Sequence, residues 1–132
     1  MSGTKQADSR PLSPHLGIWR YPATMFASIT HRFPGMAMYF GTFLIAAWLV
    51  ALASGPDAFA VFEPIISSIP GQVILFLWTV AVLFHLANGI RYLFWDGPHI
   101  GFDPKTASAV SVFNYVFAVL ASVAIWAVVL LA

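Results

Sequence analysis

His85 is the only ionisable side chain between Glu63 and Arg91, in a tract that is otherwise almost entirely apolar. A titratable group in such a tract is costly to bury in lipid unless something binds it, so it marks a functional position. A neutral imidazole with one free nitrogen is a good ligand for haem iron. Gly89 follows one helical turn later on the same face, where a missing side chain lets a flat macrocycle approach the backbone. Arg91 lies about 9 Å further along a helix than His85. That would set the cation near a membrane surface and the imidazole several ångströms deeper, as haem requires, with its iron in the apolar layer and its propionates turned to cations. A histidine hydrogen-bonded to a neighbouring helix is the structural alternative, and this segment alone leaves both open.

A second group of chemically capable residues lies upstream. Ser28, His31 and Arg32 stand at i, i+3 and i+4 and therefore share one helix face. A hydroxyl, an imidazole and a permanent cation suit the polar head of an apolar molecule, such as a quinone carbonyl, or a carboxylate. Arg32 alone is equally readable as an anchor to phosphate head groups. His15 and His99 fall in expected loops and are read as exposed or structural. Asp96 is read as a partner for Arg91 or Lys105, or as a helix cap. The few acidic residues are scattered, and neither a phosphate-binding glycine loop nor zinc-ligand spacing occurs. With no self-contained catalytic constellation, the chain reads as one contributor to a larger assembly.

The elements that must position these residues are legible in the charge distribution. Of 132 residues, 60% are hydrophobic and 8% charged, far from the quarter expected of a soluble domain. No Asp, Glu, Lys or Arg occurs between Arg32 and Asp57, between Glu63 and Arg91, or after Lys105. Each gap can hold the roughly 20 apolar residues that cross a bilayer. The apolar runs are continuous, not alternating, and too long for barrel strands. The expected fold is an all-α membrane protein with three transmembrane helices at about 35–53, 70–95 and 107–131. Residues 1–33 form an N-terminal segment with the foot of helix I, and residues 34–132 the transmembrane domain. Pro34 and Gly35 are expected to end or kink the preceding helical stretch, which is either the foot of helix I or a separate interfacial helix. Residues 58–69 join helices I and II.

The basic residues orient the bundle. Lys5, Arg10, Arg20 and Arg32 precede helix I, Arg91 and Lys105 flank the second loop, and the first loop has neither Lys nor Arg. All six share one side when the N-terminus is cytoplasmic and the C-terminus opposite. Trp48, Trp95 and Trp126 lie near expected helix ends, as interfacial or packing residues. The chain has no cysteine, which excludes disulfides, cysteine-ligated iron–sulfur clusters and covalently attached c-type haem. No basic patch suggests nucleic acid. The first apolar run starts too late for a secretory signal, and the start at Met1 without a transit peptide favours a bacterial inner membrane over a mitochondrial one.

Three ordered motifs, Arg10-Pro-Leu-Ser-Pro-His-Leu16, Ser28-Ile-Thr-His-Arg32 followed by Pro34-Gly35, and His85-Leu-Ala-Asn-Gly-Ile-Arg91-Tyr-Leu-Phe-Trp-Asp96, give the chain a resemblance to the cytochrome b subunit of succinate dehydrogenase, respiratory complex II. The resemblance runs from Arg10 through the last helix. It implies a membrane anchor that forms a heterodimeric helix bundle with a second small membrane subunit and carries the flavoprotein and iron–sulfur subunits. The assembly passes electrons from succinate through FAD and iron–sulfur clusters to ubiquinone. By the same resemblance His85 is the axial ligand of haem b, with the second ligand from the partner anchor. Ser28 and Arg32 line the quinone pocket, His31 and Arg32 lie near the haem propionates, and Arg91 lies on the propionate side. Where the family commonly has histidine after Gly-Ile-Arg, this chain has Tyr92, which can donate a hydrogen bond but carries no positive charge. A haem-free or differently ligated anchor of a fumarate reductase-type complex is the alternative.

Overall fold

Four helices account for almost all of residues 20–131, the part that the computed structural model describes: α1 (Ala23–Ala53), α2 (Pro56–Ser67), α3 (Ile69–Asp96) and α4 (Pro104–Leu131). No strand occurs among the described residues. Lys5, Arg10 and the motif around His15 lie outside them.

Helices α1, α3 and α4 are each long and apolar enough to cross a membrane. Their outer surfaces are lined with exposed Phe, Leu, Ile and Val, among them Phe40 at 66% and Val128 at 69% exposure. In water such a surface would be untenable; in lipid it is the expected exterior, and the backbone is satisfied within each helix. Apart from Phe84 on α3, what is buried is small or polar instead: Ala27 and Gly41 on α1, Asn88 and Arg91 on α3, and Ala107, Ser111, Asn114, Ala118 and Ser122 on α4. This inversion follows from the solvent. Lipid gives apolar side chains no reason to leave it, so membrane helices associate through close backbone approach and interhelical hydrogen bonds.

The stretch before Pro34 is the foot of helix I, since α1 continues through Pro34 without a break. Proline inside a helix removes one backbone donor, and the flanking turns on both sides hold the helix together. The segment expected only to join the first two spans is itself a helix, α2, entered with Pro56 at its first turn after Gly55, whose φ of 101° favours glycine. Ser68 then starts α3, its hydroxyl accepting from the Gly71 amide at 3.2 Å. At the other turn Asp103 opens α4, accepting from the amides of Lys105 and Thr106 at 3.1 and 3.0 Å.

The spans run antiparallel in sequence. Along α3 and α4, Arg91 meets Ser111, Asn88 meets Asn114, and Thr79 meets Trp126. Along α1 and α3, His31 meets His85 and Gly41 meets Trp78. The start of α1, the end of α3 and the start of α4 therefore lie at one end of the bundle, with α2 at the other. Helix α1 packs hardest at Gly41: a Cβ built there would fall 2.0 Å from the Trp78 indole nitrogen.

Candidate functional site

Helices α1 and α3 meet at their basic end through two imidazoles. His31 and His85 are stacked, with ring centroids 4.2 Å apart and planes 29° from parallel. His31 Nε2 and His85 Nδ1 are both buried without a hydrogen-bond partner. Two orphaned nitrogens beside one another, inside an apolar bundle, constitute a site with unmet ligand or hydrogen-bond capacity. Close helix approach permits the stack. A Cβ on Gly35 would lie 3.5 Å from the His85 ring, an ordinary contact, so α1 runs close beside the imidazole without needing glycine there. Gly89 differs: a Cβ on it would meet nothing within 4 Å, so the helix face beside His85 is open.

The rings around the pair fix its setting. Tyr92, two helical turns beyond His85 on the same face, tilts against His31 with centroids 5.6 Å apart. Phe84 stands edge-on to His31 and stacks on Tyr115 of α4 with centroids 4.4 Å apart. The Tyr115 hydroxyl is hydrogen-bonded to the Thr30 hydroxyl of α1, so one aromatic residue of α4 braces both helices that carry histidine. Neither Tyr115 nor Thr30 stands out in the sequence. A hydroxyl in an otherwise apolar helix was the only available signal, and a transmembrane tyrosine has many bland readings.

Ser28 is half-buried and Arg32 is exposed, one turn apart on α1. They flank His31 as their spacing required. Arg91 takes another direction. Its helical position turns it from His85 toward α4, where it is 5% exposed and Nη1 donates to Ser111 Oγ at 2.5 Å. The guanidinium carbon lies 5.2 Å from the centre of the Tyr92 ring and 4.7 Å from Trp95. Asp96 is exposed, and Arg91 turns to Ser111 instead. Trp95 donates to the Gly101 carbonyl at 3.2 Å and stacks on Phe102, closing the loop between α3 and α4. His99 Nδ1 lies 2.9 Å from the Trp95 carbonyl oxygen within that loop, in keeping with a structural role.

The arrangement fits a haem ligand set only in part from within this chain. Face-to-face stacking at 4.2 Å is not the geometry of two imidazoles directing nitrogens at a common ion. Among the described residues no group of three or more His, Cys, Asp or Glu side chains converges as a metal site. Among the described residues, one histidine with an open flank is present, and no second histidine opposes it across a common ion position.

Residues 6–128 match the model of the succinate dehydrogenase/fumarate reductase transmembrane subunit family. The succinate dehydrogenase cytochrome b556 subunit of Paracoccus denitrificans is 39% identical over 115 residues, covering 85% of this chain and 88% of the relative. The subunit of the same name from Rickettsia felis is 31% identical over 128 residues, covering 96% of this chain and 99% of the relative. The mitochondrial cytochrome b560 subunit of Mus musculus is 30% identical over 92 residues, 68% of this chain and 54% of that one.

Proposed function

The chain belongs to the succinate dehydrogenase/fumarate reductase transmembrane subunit family, and from that membership we propose that it is the cytochrome b membrane anchor of a succinate:ubiquinone oxidoreductase. In this reading it binds haem b and forms part of the site where ubiquinone is reduced. The observation that carries the reading is the convergence, at the basic end of the bundle, of two stacked histidines with orphaned nitrogens and the Ser28–Arg32 face beside them.

His85 would hold the haem iron, and the open flank at Gly89 would leave room for the macrocycle. The second ligand would come from a second small membrane subunit, a reading supported by His31 stacking on His85 instead of opposing it. A bound haem supplies a reversible one-electron centre within the apolar layer. His31 and Arg32 serve the propionates. Arg91 contributes to that environment through Tyr92, whose ring lies against both its guanidinium and His31. Ubiquinone needs protons as well as electrons. Ser28 and Arg32 lie in the first turns of α1, close to water, where a hydroxyl and a cation hold a quinone carbonyl and stabilise the charge that builds on its oxygen.

The flavoprotein and iron–sulfur subunits, which would carry FAD and the clusters, dock at this same end. With the N-terminus cytoplasmic, the basic residues face the cytoplasm as the positive-inside rule expects. Bacterial relatives of nearly full coverage favour a bacterial inner membrane.

Two assays on the assembled complex test the quinone role. Arg32→Ala should cut ubiquinone reduction at least roughly tenfold, the scale of one lost charge-assisted contact to a developing oxyanion. Succinate oxidation with a soluble artificial acceptor should stay near wild type. Equal losses in both assays would contradict the role.

A further inference from the structure

Arg91 is a buried cation inside a membrane-spanning helix, 5% exposed, and among the described residues its partners are one hydroxyl and two ring faces. Its Nε is buried without a partner. No carboxylate pairs with it among the described residues. A buried charge without a counter-ion is costly, so an anion is expected from beyond the described residues. The side chain lines a groove of about 340 Å³ between the last turns of α3 and the first turns of α4. The rest of that lining is largely apolar, with Ala87, Ile90, Val110 and Phe113 along its walls. An apolar groove ending on an unneutralised cation fits an amphipathic anion.

Depth identifies which one. Helix α3 has 28 residues and a length of roughly 42 Å, against about 30 Å for the hydrocarbon core of a bilayer. Arg91 lies five residues before the end of α3 at Asp96, roughly 7.5 Å in from the helix terminus. That is the boundary between acyl chains and head groups, where phosphate, glycerol and the first methylenes of a phospholipid lie. Nothing in this argument uses the haem reading: the groove is on the α4 side of α3, and His85 faces α1.

We propose that the groove between α3 and α4 binds one anionic phospholipid, with its phosphate on Arg91 and an acyl chain along Ala87, Ile90, Val110 and Phe113. The lipid completes the charge balance of the α3–α4 contact and stays with the protein on extraction.

The test is native mass spectrometry of the complete complex, reconstituted into bilayer discs of phosphatidylcholine with a minority of phosphatidylglycerol and then released into detergent. Wild type should retain phosphatidylglycerol in preference to phosphatidylcholine. Arg91→Gln should lower that retention roughly tenfold, the scale of a charge-assisted contact, and Arg91→Lys should keep much of it. Val110→Phe fills the groove without touching the cation and should also displace the lipid; it decides the matter if Arg91→Gln does not assemble. Retention of both lipids alike, or phosphatidylglycerol retention indifferent to these substitutions, would overturn the proposal. So would loss of a haem band in Arg91→Gln with phosphatidylglycerol retention intact, since the anion on Arg91 would then be a propionate. The haem band is read on the same samples, so failure of the lipid site and failure of the cytochrome assignment are separable.

Discussion

The chemically distinctive positions of α3 fall into two sets, divided by helix face. His85, Gly89 and Tyr92 lie on the side of α1; Asn88 and Arg91 lie on the side of α4. The sequence displayed both sets, because a histidine, an asparagine and an arginine stand out in an apolar tract. It did not separate them: His85 and Arg91 read as one haem setting, although about 120° of helix rotation parts them. The Ser28, His31 and Arg32 spacing was legible and held. That His31 lies against His85 was not, because contact between helices depends on crossing geometry, and the closest approach of α1 to α3 is at Gly41. Gly41→Ala should therefore be costly, as its Cβ would fall 2.0 Å from the Trp78 indole nitrogen. Overpacking of this kind costs about 1–3 kcal/mol, to be read as a lower melting temperature of the complex. Gly89→Ala, whose added carbon meets no atom of this chain within 4 Å, should spare the packing of α1 on α3 and act on haem content instead. Equal behaviour of the two variants would contradict the packing described for α1 and α3.

The long helices were visible as gaps in formal charge, and the fold class followed from the membrane's demand for internally bonded backbone. The short helix α2 was not anticipated. Its sequence carries Pro56, Pro64, Asp57 and Glu63, features that read as a connecting loop. Yet Pro56 sits in the first turn, where its missing amide is harmless, and the helix packs on both α1 and α3. Pro34 left an end or a kink open, and it does not end α1, which runs on for nineteen further residues to Ala53. Tertiary packing decides such cases, and local propensity is a weak guide to them. The polar stripe of α4, with Ser111, Asn114 and Ser122 all buried, went unread. Small and hydroxyl residues at three- and four-residue spacing in an apolar helix were its signal, and they mark a helix–helix seam.

Across the whole molecule, charge is polarised. Arg20, Arg32, Arg91 and Lys105 gather at the end formed by the start of α1, the end of α3 and the start of α4. Asp57 and Glu63 lie on α2 at the other end. The chain lacks cysteine, so single substitutions can report topology against a silent background from this subunit. With a membrane-impermeant thiol reagent, Asp57→Cys should label from the periplasmic side in intact spheroplasts. Lys105→Cys should label only once the cytoplasmic face is opened. Labelling of both from the same side would contradict three crossings.

The central claim is that His85 ligates haem. Its most direct test is the dithionite-reduced minus oxidised spectrum of the complex purified gently with all its subunits, wild type beside His85→Ala. The account predicts a low-spin b-type band in wild type that is lost or displaced in the variant while the subunits remain assembled. A band unchanged by His85→Ala would remove this residue as ligand. No band in fully assembled wild type would make the chain a haem-free anchor, with Ser28 and Arg32 left as its redox-site residues.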